Sequence, residues 1–163
     1  MTTIVSDATT LIVLGKLGRV ALLQLFFDRV LIPSQVMVEL QAKPDHDLSI
    51  WNQPWFQIVD GTCLGLYREF CLVLDAGESE ALALADTHHL PLLIDEKKGR
   101  TIAARRGIPV LGLVGLLVRA VQRSFLTARE AAALLEDARA IGFRISNSLT
   151  EEFIAAIGKG SRP

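Results

Sequence analysis

Short runs rich in β-branched or aliphatic residues recur at Thr3–Ser6, Val30–Ile32, Phe56–Val59, Pro91–Ile94 and Pro109–Leu111, and longer stretches compatible with helices separate most of them. Strand signals alternating with helix signals predict an α/β fold. Runs that are apolar on both faces, such as Leu92-Leu93-Ile94, predict central strands of a mainly parallel sheet covered by helices on each side. Several helix starts are marked. Pro33-Ser34 precedes Gln35–Leu40, where proline opens a first turn and serine can cap it. Asp75-Ala76-Gly77-Glu78 precedes the alanine-rich run Ser79–Ala85, which has high helix propensity. Thr127-Ala128-Arg129-Glu130 reads as a capping box for a helix ending near Gly142, and Ser148-Leu149-Thr150-Glu151 reads as another before the final helix. The adjacent His88 and His89 mark a helix end, and the polar stretch Lys43–Asn52 predicts a mobile loop. There is no internal repeat, low-complexity tract or long linker.

The length of 163 residues and the 50% hydrophobic content suit one domain over 1–163, with C-terminal helices from about residue 127 packed on or extending its core. With 17 Lys and Arg against 18 Asp and Glu, the net charge of -1 excludes a global positive field, so any phosphate recognition has to be local. Cys63 and Cys71 stand in one short stretch without a disulfide framework and are expected to be reduced, small and buried. The N-terminus places Asp7 where a signal peptide would be apolar. The run Leu111–Val121 is interrupted by Arg119 and is shorter than the roughly twenty residues of a spanning helix. A cytoplasmic location with no membrane partner is the expectation.

Acids that directly follow strands stand out, because ligands of open α/β sheets bind beyond the carboxyl ends of the strands. Asp7 closes the first strand signal and Asp95 closes Leu92-Leu93-Ile94. Either alone reads as a helix cap or a turn acid; two at equivalent strand ends favour a site. Glu39 lies at the edge of the helix face shared by Val36 and Leu40. Glu80 lies in the first turns of the alanine-rich helix, where the helix dipole favours negative charge. Each of these glutamates, and Glu78 beside Glu80, could equally be a solvated or terminus-stabilising side chain. Other chemistries are absent from the pattern. There is no phosphate-binding P-loop, no G-x-G-x-x-G after a strand and no Cys/His zinc spacing, and Gly77-Glu78-Ser79-Glu80 lacks the second glycine of a nucleophile elbow.

Taken together, I-V-S-D-A-T-T-L-I, V-L-I-P-S-Q-V-M-V-E-L, L-D-A-G-E-S-E-A-L-A-L-A and L-L-I-D-E-K-K-G-R resemble the PIN (PilT N-terminus) domains, most closely a VapC toxin-like subgroup. The later G-I-P-V-L-G-L-V-G-L-L and G-F-R-I-S segments resemble that subgroup too, so the likeness covers nearly the whole chain. The resemblance implies a three-layer α/β/α sandwich whose acidic pocket holds Mg²⁺ or Mn²⁺ and cleaves single-stranded RNA. It matches the family's acids to Asp7, Glu39, Glu80 and Asp95, with Glu78 competing for the third place, Glu96 adjoining the fourth, and Thr10 at a position that often carries a small hydroxyl residue. It further implies a homodimer and a cognate antitoxin that covers the pocket. Clustered carboxylates repel one another unless a hard cation neutralises them, so the chemistry agrees with the match.

Lys97, Lys98 and Arg100 follow Asp95 directly, with Arg105 and Arg106 beyond; they either contact RNA phosphates or form an ordinary solvated helix face. Trp51, Trp55 and Phe56 could stack on bases, but packing at the edge of the core is the simpler expectation. A different class of function also remains: a PIN-fold binding or assembly module without catalysis, since the third acid is a glutamate where aspartate is the more common residue.

Overall fold

The computed structural model describes residues 2–43, 47–60 and 63–159. It divides into two compact units, Met1–Leu111 and Gly112–Pro163. The second unit therefore takes in the helix that begins at Leu113 as well as the helices beyond residue 127.

The first unit is built on five parallel strands: β1 (Thr3–Ser6), β2 (Arg29–Pro33), β3 (Phe56–Val59), β4 (Leu92–Leu93) and β5 (Val110–Leu111). Their spatial order is β3-β2-β1-β4-β5. Helices flank this central sheet in an α/β/α arrangement: α1 (Ala8–Lys16), α2 (Ala21–Gln24), α3 (Ser34–Gln41), α4 (Leu64–Phe70), α5 (Ala76–His88) and α6 (Lys97–Arg105). The chain builds outward from β1 through β2 to β3, then returns through α4 and α5 to lay β4 on the other side of β1. The strand order reverses between β1 and β4, where open sheets of this kind leave a crevice beyond their carboxyl ends. Val5 pairs with Leu92 and Ser6 with Leu93. Asp7 N–H continues the ladder by donating to the Leu93 carbonyl at 2.9 Å.

The apolar runs of β1, β2 and β4 become buried as their pattern predicts, whereas β3, at the edge of the sheet, leaves Ile58 exposed. Ile4, Val5, Val30, Ile32, Leu92 and Leu93 are fully buried, and each such side chain contributes on the order of 1.5–3 kcal/mol by leaving water. Helix α5 is enclosed along most of its length, with every residue from Gly77 to Ala85 buried. A helix surrounded in this way has no solvated face on which to place its glutamates. It ends as the paired histidines indicate, with His88 its last residue and His89 in the left-handed conformation at φ 53°. Arg106, after α6, ties the outer helices together. Its guanidinium donates to Asp86 of α5 at 2.7 and 2.8 Å and lies 5.3 Å from the centre of the Phe70 ring in α4.

The aromatic group packs inward. The ring centres of Trp51 and Trp55 lie 5.1 and 3.9 Å from that of Phe56, and all three residues are buried, so they form no open stacking platform. Three local expectations are corrected. Ser34 is the first residue of α3 and does not cap it; its hydroxyl bonds the Asp60 carboxylate, while Pro33 occupies the cap position without a side-chain acceptor. Cys63 and Cys71 are free thiols, as expected, but exposed ones, because they bracket the short surface helix α4. Within Lys43–Asn52, residues 44–46 lie outside the described part, and Leu48–Asn52 forms a 3₁₀ helix capped by the Asp47 carboxylate, which accepts from Ser49 N–H at 2.9 Å.

The second unit comprises α7 (Leu113–Gln122), α8 (Ala128–Ala140) and α9 (Asn147–Lys159), which pack on one another. The expected capping box is present at α8, where Thr127 and Glu130 exchange side-chain and backbone bonds. The second one is not. Ser148 lies inside α9, and Ser146 stands before it with its hydroxyl accepting from Leu149 N–H at 3.2 Å. No helix among the described residues is long and apolar enough to cross a membrane.

Gly99 marks the tightest packing of α6 on the sheet, because a Cβ there would overlap the buried Cδ1 of Ile94. Alanine in a helix gains about 1 kcal/mol over glycine, whereas overpacking a filled core costs about 1–3 kcal/mol. Gly99→Ala is therefore expected to lower the unfolding free energy by about 1 kcal/mol in denaturant titration. A stabilised variant would contradict this packing.

Candidate active site

Asp7 sits at the reversal point of the sheet. It follows β1 directly and occupies the position that caps α1, yet its carboxylate makes no capping hydrogen bond. It is only 3% exposed. Helix capping therefore does not account for its burial. Withdrawal from water pushes its carboxyl from 3.8 up to about 7; the Ala8 N–H works against that rise, and the charges of Glu78, Glu39 and Asp75 add to it.

Asp95 emerges on the same rim, one residue past Ile94, and is half-buried. Its Oδ2 accepts from the Thr10 hydroxyl of α1, and Thr10 is itself buried. Thr10 thus bonds Asp95, the acid that follows β4. Glu96 follows, exposed, at the head of α6.

The glutamates divide. Glu78 is buried in the first turn of α5, and its carboxyl rises to about 7 through burial and the charges of Asp75, Glu96 and Glu39, while the Asp75 backbone N–H, which donates to it, opposes the rise. Glu39 is half-buried, and its Oε1 accepts from Gly77 N–H of α5 at 3.0 Å. Burial and the Asp75 charge raise its pKa, with Gly77 N–H and Lys43 acting the other way. Glu80 is also buried, but its Oε2 accepts from Gln35 N–H in the first turn of α3 at 2.6 Å. The charges of Glu78 and Glu39 thus bear on Asp7 and those of Glu96 and Glu39 on Glu78, while Glu39 and Glu80 each engage the start of a neighbouring helix.

Asp75 is the residue the sequence reading left out of the site. It caps α5 by accepting from Glu78 N–H at 2.8 Å, and its charge bears on Asp7, Glu39 and Glu78 alike. The signal was visible: Asp75 stands three residues before Glu78, the spacing of a capping box. Among the basic residues, Lys97 and Lys98 are exposed in the first turn of α6. Arg100 instead turns back and donates from Nη1 to the Ile94 carbonyl at 2.9 Å.

The donor set is chemically suited to a hard divalent ion, since carboxylates and a hydroxyl supply only oxygen. The fully buried Ser79 hydroxyl, in the same turn as Glu78, has no hydrogen-bond partner among the described residues. No three acids among those residues are already gathered to hold an ion.

The chain belongs to the PIN domain family: the family model described as DUF3368, a PIN domain, matches residues 3–159. PIN domains are generally nucleases that bind divalent metal ions. The fold is similar to that of a PilT N-terminus domain protein from the hyperthermophilic archaeon Sulfolobus solfataricus, with a TM-score of 0.53 and 18% identity, over 74% of this chain and 93% of that one. Comparison with curated proteins returns no match.

The raised acid carries a pH signature. Between about pH 4 and pH 7 Asp7 keeps its proton in the folded protein and loses it in the unfolded chain, so its contribution to stability falls as pH rises through that window and stays low above it. In metal-free protein the denaturation midpoint is expected to drop from about pH 5 to about pH 8. Asp7→Asn should shrink the drop and stabilise the protein at the upper pH by on the order of 2–4 kcal/mol. An unchanged pH profile in the variant would remove the buried-acid assignment.

Proposed function

We propose that the protein is a divalent-metal-dependent endoribonuclease that hydrolyses phosphodiester bonds of single-stranded RNA. The observation that carries this reading is Asp7: a buried carboxyl without a capping bond, at the reversal point of the sheet, on which the charges of Glu78, Glu39 and Asp75 bear. Asp7, Asp95, Glu39 and an acid from the start of α5 would hold Mg²⁺ or Mn²⁺. When bound, such an ion activates water and stabilises charge on the phosphate and leaving oxygens.

The chain's own groups have defined tasks. Asp7 and Glu78 have to release their protons for ligation, so affinity for the ion should rise with pH through about 7. Thr10 holds the Asp95 carboxylate by its hydroxyl. Lys97 and Lys98, free of the carbonyl that engages Arg100, are the cations best placed beside Asp95 and Glu96 to meet RNA phosphates. The likeness to the toxin-like subgroup extends the proposal to a toxin of a toxin–antitoxin pair, acting in the cytoplasm as a homodimer under the control of an antitoxin.

A non-catalytic PIN-fold binding module is the second reading. Favouring it, Glu39 and Glu80 each commit an oxygen to a backbone N–H of the facing helix.

Labelled single-stranded RNA incubated with Mn²⁺ or Mg²⁺ separates the two. Cleavage is expected with either ion, none with chelator, and none with Asp7→Asn or Asp95→Asn. Cleavage that survives both substitutions sinks the site, and a wild type that neither binds metal nor cleaves RNA selects the binding module. Replacing Lys97 and Lys98 by alanine should weaken RNA binding and flatten its salt dependence by a slope of about 1.4, at about 0.7 for each phosphate contact.

A further inference from the structure

Helices α3 and α5 exchange carboxylates. Glu39 of α3 accepts from Gly77 N–H of α5, and Glu80 of α5 accepts from Gln35 N–H of α3. Both amides lie in first turns, where helix N–H groups lack partners within the helix. Pro33, at the cap position of α3, has no side-chain acceptor to offer, so Glu80 serves a helix start that its own sequence leaves uncapped. Asp75 caps α5 through Glu78 N–H and leaves Gly77 N–H to Glu39.

Helical geometry separates the two candidate acids of α5. Residues three apart share a face, so Gly77 and Glu80 both look towards α3. Residues two apart are turned by about 200° at 3.6 residues per turn, so Glu78 looks elsewhere. Its charge bears on Asp7. One pocket beside Asp7 therefore cannot be served equally by both glutamates.

We propose that Glu80 is a positioning residue, which fixes the start of α3 and through it the Glu39 carboxylate, and that Glu78 supplies the α5 acid of the site. This assignment rests on the metal-nuclease reading above. Glu39 is engaged with Gly77 through Oε1. The third acid of the site is then shifted two residues from the position that the family resemblance selects.

Mn²⁺ titration of the full chain, with RNA cleavage alongside, tests the assignment. Glutamine at position 80 keeps an amide oxygen that can accept from Gln35 N–H but loses the charge a ligand needs. Glu80→Gln is expected to retain Mn²⁺ affinity within about threefold, whereas Glu78→Gln loses it. Glu80→Ala is expected to weaken Mn²⁺ about 10–100-fold, with little further loss when Glu39→Gln is added, because both changes act through one carboxylate. A loss in Glu80→Gln equal to that in Glu78→Gln would make Glu80 a ligand and overturn the proposal, as would additive effects in the Glu80→Ala, Glu39→Gln pair. If Glu80→Ala does not fold, the two glutamine variants still decide.

Amide hydrogen exchange in chelator keeps this outcome distinct from failure of the nuclease reading. Protection of Gln35 N–H is expected to survive in Glu80→Gln and to fall in variants that remove the acceptor, such as Glu80→Met. Unaltered protection in Glu80→Met overturns the positioning role. A wild type without Mn²⁺ affinity overturns the nuclease reading alone.

Discussion

The pairing of β4 with β1 is the contact on which the site depends. The chain winds outward for three strands before it returns, and β4 has to find β1 across the whole length of α4 and α5. Once it does, Ser6 lies opposite Leu93 and Asp7 N–H completes the ladder. Two acids nearly ninety residues apart in sequence thereby reach the same rim. No side-chain contact between them is needed to bring this about, because the backbone register does so.

A second constraint works at right angles to the sheet. Each of α3 and α5 begins with amides that its own turn cannot satisfy, and each meets that need with a carboxylate from the other. Bonds of this charge-assisted kind are stronger than neutral ones, and they are directional. They also separate the glutamates by role. Asp7 and Glu78 are driven towards neutrality first by burial and then by neighbouring acids, against the backbone N–H groups of Ala8 and Asp75.

Much of this was legible in the sequence, and the failures have physical causes. The doubly apolar strands declared a buried parallel sheet, and the two strand-end acids declared its rim, because both follow from local pattern and topology. Thr127-x-x-Glu130 declared its helix start for the same reason. The roles of Glu78 and Glu80 were not separable by family likeness, since they depend on which way α5 is turned, and that is set by contacts all round the helix. Ser34 and Ser148 carry the right chemistry for caps, but a cap requires a position, and neighbouring Pro33 and Ser146 hold the positions. The cysteines were misplaced because their burial depends on where α4 lies, which no local pattern encodes.

Helix α5 carries site acids among residues that are buried without interruption from Gly77 to Ala85. Any substitution that retunes the acids also disturbs close-packed neighbours, and any repacking of the interior turns the acids. Adaptation of the chemistry and maintenance of the fold are therefore not independent here. A lineage that alters what this pocket does is expected to accept compensating changes in Ala81, Leu82 and Ala83, deep in the core, before it can explore new ligands at the rim.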